Sequence, residues 1–342
     1  VSFGEVMARL GCLLLVILGV LTMAGRAFAA GHERSDEPRS EARFTARSVA
    51  SPGTRAKANP EGGAAAIAVK SVTLESGIAL QYVEQGDADG IPVIMLHGYT
   101  DSWHSYERVL PYLSSSLHVF AMSQRGHGDS TRPAGGYDAQ DFALDVAAFM
   151  DALHIGRAVI VGHSMGATIA QRFAIDQPAR TLGLVLIGAA PTWKGNAGVL
   201  DLWEAVAKLE DPIDPQFARA FQESTLAQPV PAAFIDTIVQ ESLKVPARVW
   251  QAALVDLMQT DFSRELSAIR APTMIFWGAK DGLASRAAQD RLAAVLPEAS
   301  LTVYASAGHG LHWEEPKRFA GDLNFFVEGL IVEDCETARL VH

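Results

Sequence analysis

Cysteine is nearly missing from this 342-residue chain, which holds only Cys12 and Cys335. Two thiols cannot make a disulfide framework, and these two lack the grouped spacing of a structural zinc site. Basic residues are also in deficit, with 28 Lys and Arg against 39 Asp and Glu, a formal charge of −11. A surface of that sign repels phosphate backbones, so nucleic acid is not an expected partner. No internal repeat is visible. What is present is ordinary globular usage, 49% hydrophobic and 20% charged, which excludes disorder throughout and fibrous repeats. The length suits either two domains or one large α/β domain.

The main uncharged apolar run lies near the start, from Leu10 to Gly25, between Arg9 and Arg26. Ala27-Phe28-Ala29 follows as a small-x-small site. A positive start, a short apolar stretch and an Ala-x-Ala exit describe a secretory signal peptide over residues 1–29. As a helix the run rises about 24 Å, short of the ~30 Å hydrocarbon layer, which favours cleavage over an uncleaved membrane anchor. The expectation is therefore a periplasmic or secreted protein with no stable membrane association after processing, keeping Cys335 as its one thiol. Residues 30–66 are rich in Ala, Gly, Ser, Pro, Arg and Glu without a sustained apolar period, and read as a flexible leader.

From Ile67 onward short β-branched, apolar runs recur: Val69–Leu74, Leu80–Val83, Val93–Leu96, Val119–Met122, Ala158–Val161, Leu184–Ile187, Thr273–Trp277 and Leu301–Tyr304. Several are apolar at consecutive positions, as suits parallel strands buried on both faces. Helical spacing lies between them, for example Phe142, Ala143, Val146, Phe149, Met150 and Leu153. Such alternation predicts a doubly wound, mostly parallel α/β sheet. The interval 191–267 breaks the rhythm, with no good strand but several helix-like stretches carrying Trp193, Trp203, Phe217, Phe221, Phe234 and Trp250. It is far longer than a usual connection and reads as a helical lid. The core then comprises 67–190 and 268–331, with 332–342 as a C-terminal tail.

Val159-Ile160-Val161 runs into Gly162-His163-Ser164-Met165-Gly166, and a helical pattern follows. G-x-S-x-G between strand and helix is a nucleophile elbow: the tight turn lifts the Ser164 hydroxyl above the sheet edge, and the glycines let helix and strand crowd together. A serine hydroxyl needs a base. Downstream, one strand ends in Gly278-Ala279-Lys280-Asp281 and another leads into Gly308-His309-Gly310. The order Ser164, Asp281, His309 suits this fold, with His309 as base and Asp281 fixing its tautomer. Leu96-His97-Gly98-Tyr99 leaves an earlier strand, so the backbone N–H groups of Tyr99 and Met165 are the candidate oxyanion donors.

With these pieces in place, residues from about Val69 to Val327 resemble the α/β-hydrolase family, and more closely its lidded esterase, lactonase and C–C hydrolase branch. The resemblance is carried by His97-Gly98-Tyr99, Gln124-Arg125-Gly126-His127-Gly128-Asp129-Ser130, the elbow, Gly278 with Asp281, and Gly308-His309 with His312-Trp313-Glu314-Glu315-Pro316. It implies an eight-stranded, mostly parallel sheet with helices on both faces, an inserted helical lid, and a hydrolase without metal or organic cofactor. Relatives often place an aspartate two residues before the Arg-Gly turn, where this chain has Ser123. Others carry the acid after the earlier strand, where this chain reads Ile187-Gly188-Ala189-Ala190-Pro191-Thr192, which favours Asp281. Epoxide hydrolases and haloalkane dehalogenases use an aspartate at the elbow, and Ser164 excludes both chemistries.

Among other residues, His312 competes with His309 for the base role, and the position nearest the strand end favours His309. His97 and His163 are expected to hydrogen-bond locally, Arg125 and His127 to be structural. Trp103, Trp193 and Trp250 are candidates for lining a substrate pocket, and collectively the aromatics argue for an apolar substrate. The expected function is a serine hydrolase of small, largely apolar esters or lactones. The alternatives are C–C bond hydrolysis beside a ketone with the same triad, or a ligand-binding or sensing role on the same scaffold.

Overall fold

Eight short apolar runs become the eight strands of one sheet. The computed structural model describes residues 68–340, with side chains through residue 330. The strands are β1 Val69–Thr73, β2 Ala79–Gly86, β3 Ile91–Leu96, β4 Leu117–Met122, β5 Ala158–His163, β6 Thr181–Ile187, β7 Thr273–Gly278 and β8 Ala299–Tyr304. Their spatial order is β1-β2-β4-β3-β5-β6-β7-β8. β2 runs antiparallel to β1 and β4, and every other neighbouring pair is parallel, which makes the sheet mostly parallel, as the sequence predicts. The expected signal peptide (1–29) and leader (30–66) lie outside the described residues.

The consecutive apolar positions of β3 follow from burial on two sides. Val93 and Met95 join a layer with Val119, Val161, Val185 and Phe319. Ile94 and Leu96 enter the opposite layer with Phe120, Phe142, Phe149 and Ile169. A strand covered on both faces has no solvent side on which to alternate polar residues.

Helix α1, Ala139–Ala152, begins where Asp138 accepts a hydrogen bond from the Asp141 N–H at 2.8 Å. Its buried residues Phe142, Ala143, Val146, Phe149 and Met150 keep the three-to-four spacing that turns one stripe to the sheet. Helix α2, Met165–Asp176, starts directly behind β5.

Four helices occupy the interval between β6 and β7: α3 Ala197–Val206, α4 Pro215–Ser224, α5 Ala232–Leu243 and α6 Ala247–Gln259. Asn196 and Asp214 cap the first two through the N–H groups of Val199 and Gln216. Pro231 and Pro246 stand immediately before the other two, where a missing N–H costs nothing. The two ends of this helical segment meet, since Thr192 pairs with Asp261 and its hydroxyl donates to the Thr260 carbonyl at 2.8 Å. After β7 come α7 Arg286–Val295, the single turn α8 Leu311–Glu314 and α9 Pro316–Leu340. The backbone of α9 runs on through 332–340, the residues that the sequence reading sets apart as a tail.

The parallel strands share one carboxyl edge, and the loops leaving it carry the candidate residues. His97 to Trp103 follow β3, Ser164 follows β5, Gly188 follows β6, Asp281 follows β7 and His309 follows β8. Crossovers on both faces leave this edge open, the usual ligand position in such sheets.

Candidate active site

Ser164 stands between β5 and α2 with φ +52° and ψ −114°, a strained backbone for a non-glycine residue. Its N–H is held by the Ile187 carbonyl at 2.9 Å. The turn is tight enough that a Cβ on Gly162 would lie 2.2 Å from the Gly166 carbonyl oxygen, and one on Gly166 2.3 Å from that of Leu96. Only glycine fits at either place.

Leu96 pairs with Gly162 across β3 and β5, so Tyr99 and Met165 each follow that pair by three residues. No described backbone carbonyl outside the helices accepts from either N–H. Met165 is the first residue of α2, where an N–H has no intrahelical partner and the positive end of the helix dipole lies. The Tyr99 side chain meets the helical segment. Its hydroxyl donates to the Trp250 carbonyl, and its ring meets Phe221 edge-on at 5.7 Å.

His309 and Asp281 meet, with Nδ1 of the imidazole 2.8 Å from Oδ2 of the carboxylate. The other oxygen, Oδ1, accepts from the N–H groups of Leu283 and Ala284 at 2.8 and 2.9 Å. Three hydrogen bonds fix this carboxylate, and through it the ring, leaving Nε2 of His309 buried with no protein partner. Asp281 therefore holds the proton on Nδ1 and presents Nε2 as the acceptor. The loop around His309 is tied to the helical segment. The Glu314 carboxylate accepts from the N–H groups of Gly308 and Ala227, and the Gly310 N–H donates to Thr225.

Other histidines fill supporting places. His163 Nε2 donates to the His309 carbonyl at 3.1 Å. Burial, then the neighbouring His312 and His309, holds its pKa well below the usual histidine value, so it stays neutral. His312 contacts Ser105 Oγ at 3.2 Å, with its pKa lowered by burial to about 3. His97 bonds the Gly98 carbonyl through Nδ1 and accepts the Gln124 N–H on Nε2. Arg125 is clamped in two hydrogen bonds to buried Asp145, both at 2.6 Å.

A pocket of about 510 Å³, its open mouth included, holds Ser164 and His309. Its walls are mainly apolar, with Tyr99, Trp193, Phe221, Leu254, Leu257 and Trp313 among them. Trp193 is thus at the pocket, fixed by its indole N–H on Thr168 Oγ1 at 3.0 Å. The other two expected tryptophans lie elsewhere. Trp103 belongs to the core layer on the far side of the sheet and stacks on His104. Trp250 is fully buried behind the wall, edge-on to Tyr99 and Phe221, and supports those rings from outside.

The sequence reading missed three residues at this site. Gly188, with φ +54°, passes so close that a Cβ would lie 2.9 Å from His309 Nδ1. Asp101 and Gln222 line the pocket and are hydrogen-bonded to each other at 2.9 Å. Burial raises Asp101 to about 7.

The comparisons agree with this architecture. The family model described as alpha/beta hydrolase fold matches residues 91–316. A non-heme chloroperoxidase of Streptomyces lividans is 28% identical, over 75% of this chain and 99% of its own length. A putative carbamate hydrolase, RutD, of Variovorax paradoxus is 32% identical over 67% of this chain and 89% of its own. Among solved structures, an esterase from Exiguobacterium antarcticum superimposes with a TM-score of 0.69 at 24% identity, covering 75% of this chain and 98% of the other. By its sheet order, its elbow and the family model that spans most of the described residues, the chain belongs to the alpha/beta-hydrolase family.

Proposed function

We propose that the protein is a serine hydrolase that cleaves small carboxylic esters or lactones through an acyl-enzyme. The observation that carries this reading is the His309 imidazole, anchored on Asp281 through Nδ1 and presenting an unpartnered Nε2 in the pocket that holds Ser164. His309 takes the Ser164 proton as the hydroxyl oxygen attacks the ester carbonyl carbon. The carbonyl oxygen becomes an oxyanion held by the N–H groups of Tyr99 and Met165, each such donor contributing about 3 kcal/mol in the transition state. His309 then protonates the leaving alcohol, and the C–O bond breaks. A water molecule, deprotonated by the same imidazole, attacks the acyl-serine and releases the acid. Asp281 stabilises the imidazolium at both stages. The relatives carry names of different activities, one of them esterase, so the ester assignment rests on the site rather than on the names.

The helical segment 191–267 serves in this reading as a lid that excludes water and shapes the pocket. The N-terminal pattern at 1–29 adds the proposal that the enzyme acts outside the cytoplasm, tested by N-terminal sequencing of protein recovered from the culture medium or periplasm.

The mechanism is tested with a fluorescent fluorophosphonate and a 4-nitrophenyl ester of a short acid. Label is expected on Ser164, absent in Ser164→Ala and slowed in His309→Ala. Ester turnover is expected to fall in each by about 10⁴-fold or more. Parent-level turnover by Ser164→Ala refutes the mechanism.

A further inference from the structure

One wall of the pocket is polar and buried. Asp101, on the loop that follows β3, is 1% exposed, and both of its side-chain hydrogen-bond partners are neutral. Its Oδ1 accepts from Gln222 Nε2 at 2.9 Å, and its Oδ2 from Ser105 Oγ at 3.4 Å. Gln222, on α4, is equally buried, and its Nε2 also donates to Ser242 Oγ at 2.8 Å. The Ser242 hydroxyl has given its own proton to the Ile238 carbonyl at 3.0 Å. The Gln222 amide nitrogen therefore faces two acceptors. With Asp101 ionised, turning the amide over would set its oxygen against both, so the carboxylate form fixes the orientation. This leaves Gln222 Oε1, which accepts from no described donor, on a residue that lines the same pocket as Ser164 and His309.

Within the reading of Ser164 as nucleophile, we propose that Gln222 Oε1 is the acceptor for a substrate hydroxyl, so that the site selects small hydroxy-substituted esters over their apolar isosteres. The group offered is a neutral amide, with the carboxylate behind it engaged at both oxygens, and a neutral donor such as a hydroxyl matches it without bringing in a second charge. A methyl group of the same size would cover Oε1 and leave it unpaired. A site built to pair a hydroxyl discriminates against the analogue that lacks it far more strongly than an apolar site discriminates by size.

The test pairs hydroxyl with methyl on each side of the scissile bond. The acyl-side pair is 4-nitrophenyl 3-hydroxybutanoate against 4-nitrophenyl 3-methylbutanoate. The alcohol-side pair is 2-hydroxypropyl acetate against 2-methylpropyl acetate. In at least one pair the parent is expected to favour the hydroxy ester by about tenfold or more in kcat/KM. Gln222→Met keeps the side-chain volume and is expected to bring that ratio close to one. Ser242→Ala, which removes one of the two acceptors that hold the amide nitrogen, is expected to lower the ratio in part, and it serves if the methionine variant does not fold. A parent ratio at or below one in both pairs overturns the proposal, as does a ratio unchanged by Gln222→Met. A preference for the 4-nitrophenyl 3-aminobutanoate that Asp101→Asn abolishes overturns it in favour of a cation. Fluorophosphonate labelling of Ser164 in the parent separates the two readings. Label with no hydroxyl preference refutes the subsite alone, whereas no label and no turnover refutes the nucleophile.

Discussion

Alanine at position 188 would insert one methyl group between the backbone and the hydrogen-bonded His309 and Asp281. Its Cβ would stand 2.9 Å from both Nδ1 and Cε1 of His309 and 3.4 Å from Oδ2 of Asp281. Non-bonded heavy atoms settle at roughly 3.5 Å or more, so the imidazole must retreat by about 0.6 Å. Two effects follow, and they are measured separately. The backbone at φ +54° costs a non-glycine residue about 1–2 kcal/mol, equivalent to a fall in Tm of roughly 2–4 °C for a domain of this size. A reacting group displaced by about 1 Å can lose about 10²-fold in rate, so the smaller shift predicts a loss in kcat of about 10- to 100-fold. The assay is steady-state ester hydrolysis at a temperature where circular dichroism shows both proteins fully folded, together with the rate of fluorophosphonate labelling at Ser164. Both rates are expected to fall together. KM is expected to change less, because Gly188 does not line the pocket. A fully folded Gly188→Ala within twofold of the parent in both rates would show that this glycine is not what leaves room for the His309 ring.

Two further predictions concern stability away from the chemistry. Asp145→Ala strands the buried Arg125 guanidinium, which keeps the Gly136 carbonyl and a distant Asp141 at 4.0 Å. Breaking such a pair costs about 3–5 kcal/mol, and denaturant melts showing less than about 1 kcal/mol would rule out this role. Asp256 is raised to about 6 by burial and by the nearby Asp138 and Asp141, against hydrogen bonds from Ala139 N–H and the Thr260 hydroxyl. An acid with a raised folded-state pKa keeps its proton in the fold after the unfolded chain has lost it. Its effect on stability therefore turns unfavourable as pH rises from about 4 through 6. Asp256→Asn cannot titrate, so its Tm minus that of the parent should increase between pH 4 and pH 7, and a flat difference would contradict the assignment.

The strands were legible because their burial is complete. Val93 to Leu96 and Ala158 to Val161 have protein on both faces, so local composition alone reports their environment. Prediction shortened the strands where one end is wetter: β2 runs on through Glu84 and Gln85 to Gly86, polar residues beyond the apolar run Leu80–Val83. The edge residues Ser164, Asp281 and His309 were legible for a different reason. Each lies within a few residues of a strand end, and parallel topology carries all such loops to the same side of the sheet.

The pocket wall has no comparable signal. Trp103 and Trp250 advertise burial, but an aromatic residue does not state which neighbour it will meet, and these two face the opposite core layer and the back of the wall. Gln222 is harder still. On α4 it reads as a polar position of an amphipathic helix, and its meaning arises only when that helix is laid against a carboxylate 121 residues away. Both of its amide protons are then bound and its oxygen is not, a distinction that no residue type encodes. In the proposed mechanism the chemical step uses residues placed by the sheet, while the choice of substrate depends on how the helical segment packs over them. For that reason the hydroxyl-to-methyl ratio, rather than turnover of any single ester, is the measurement that reads this wall.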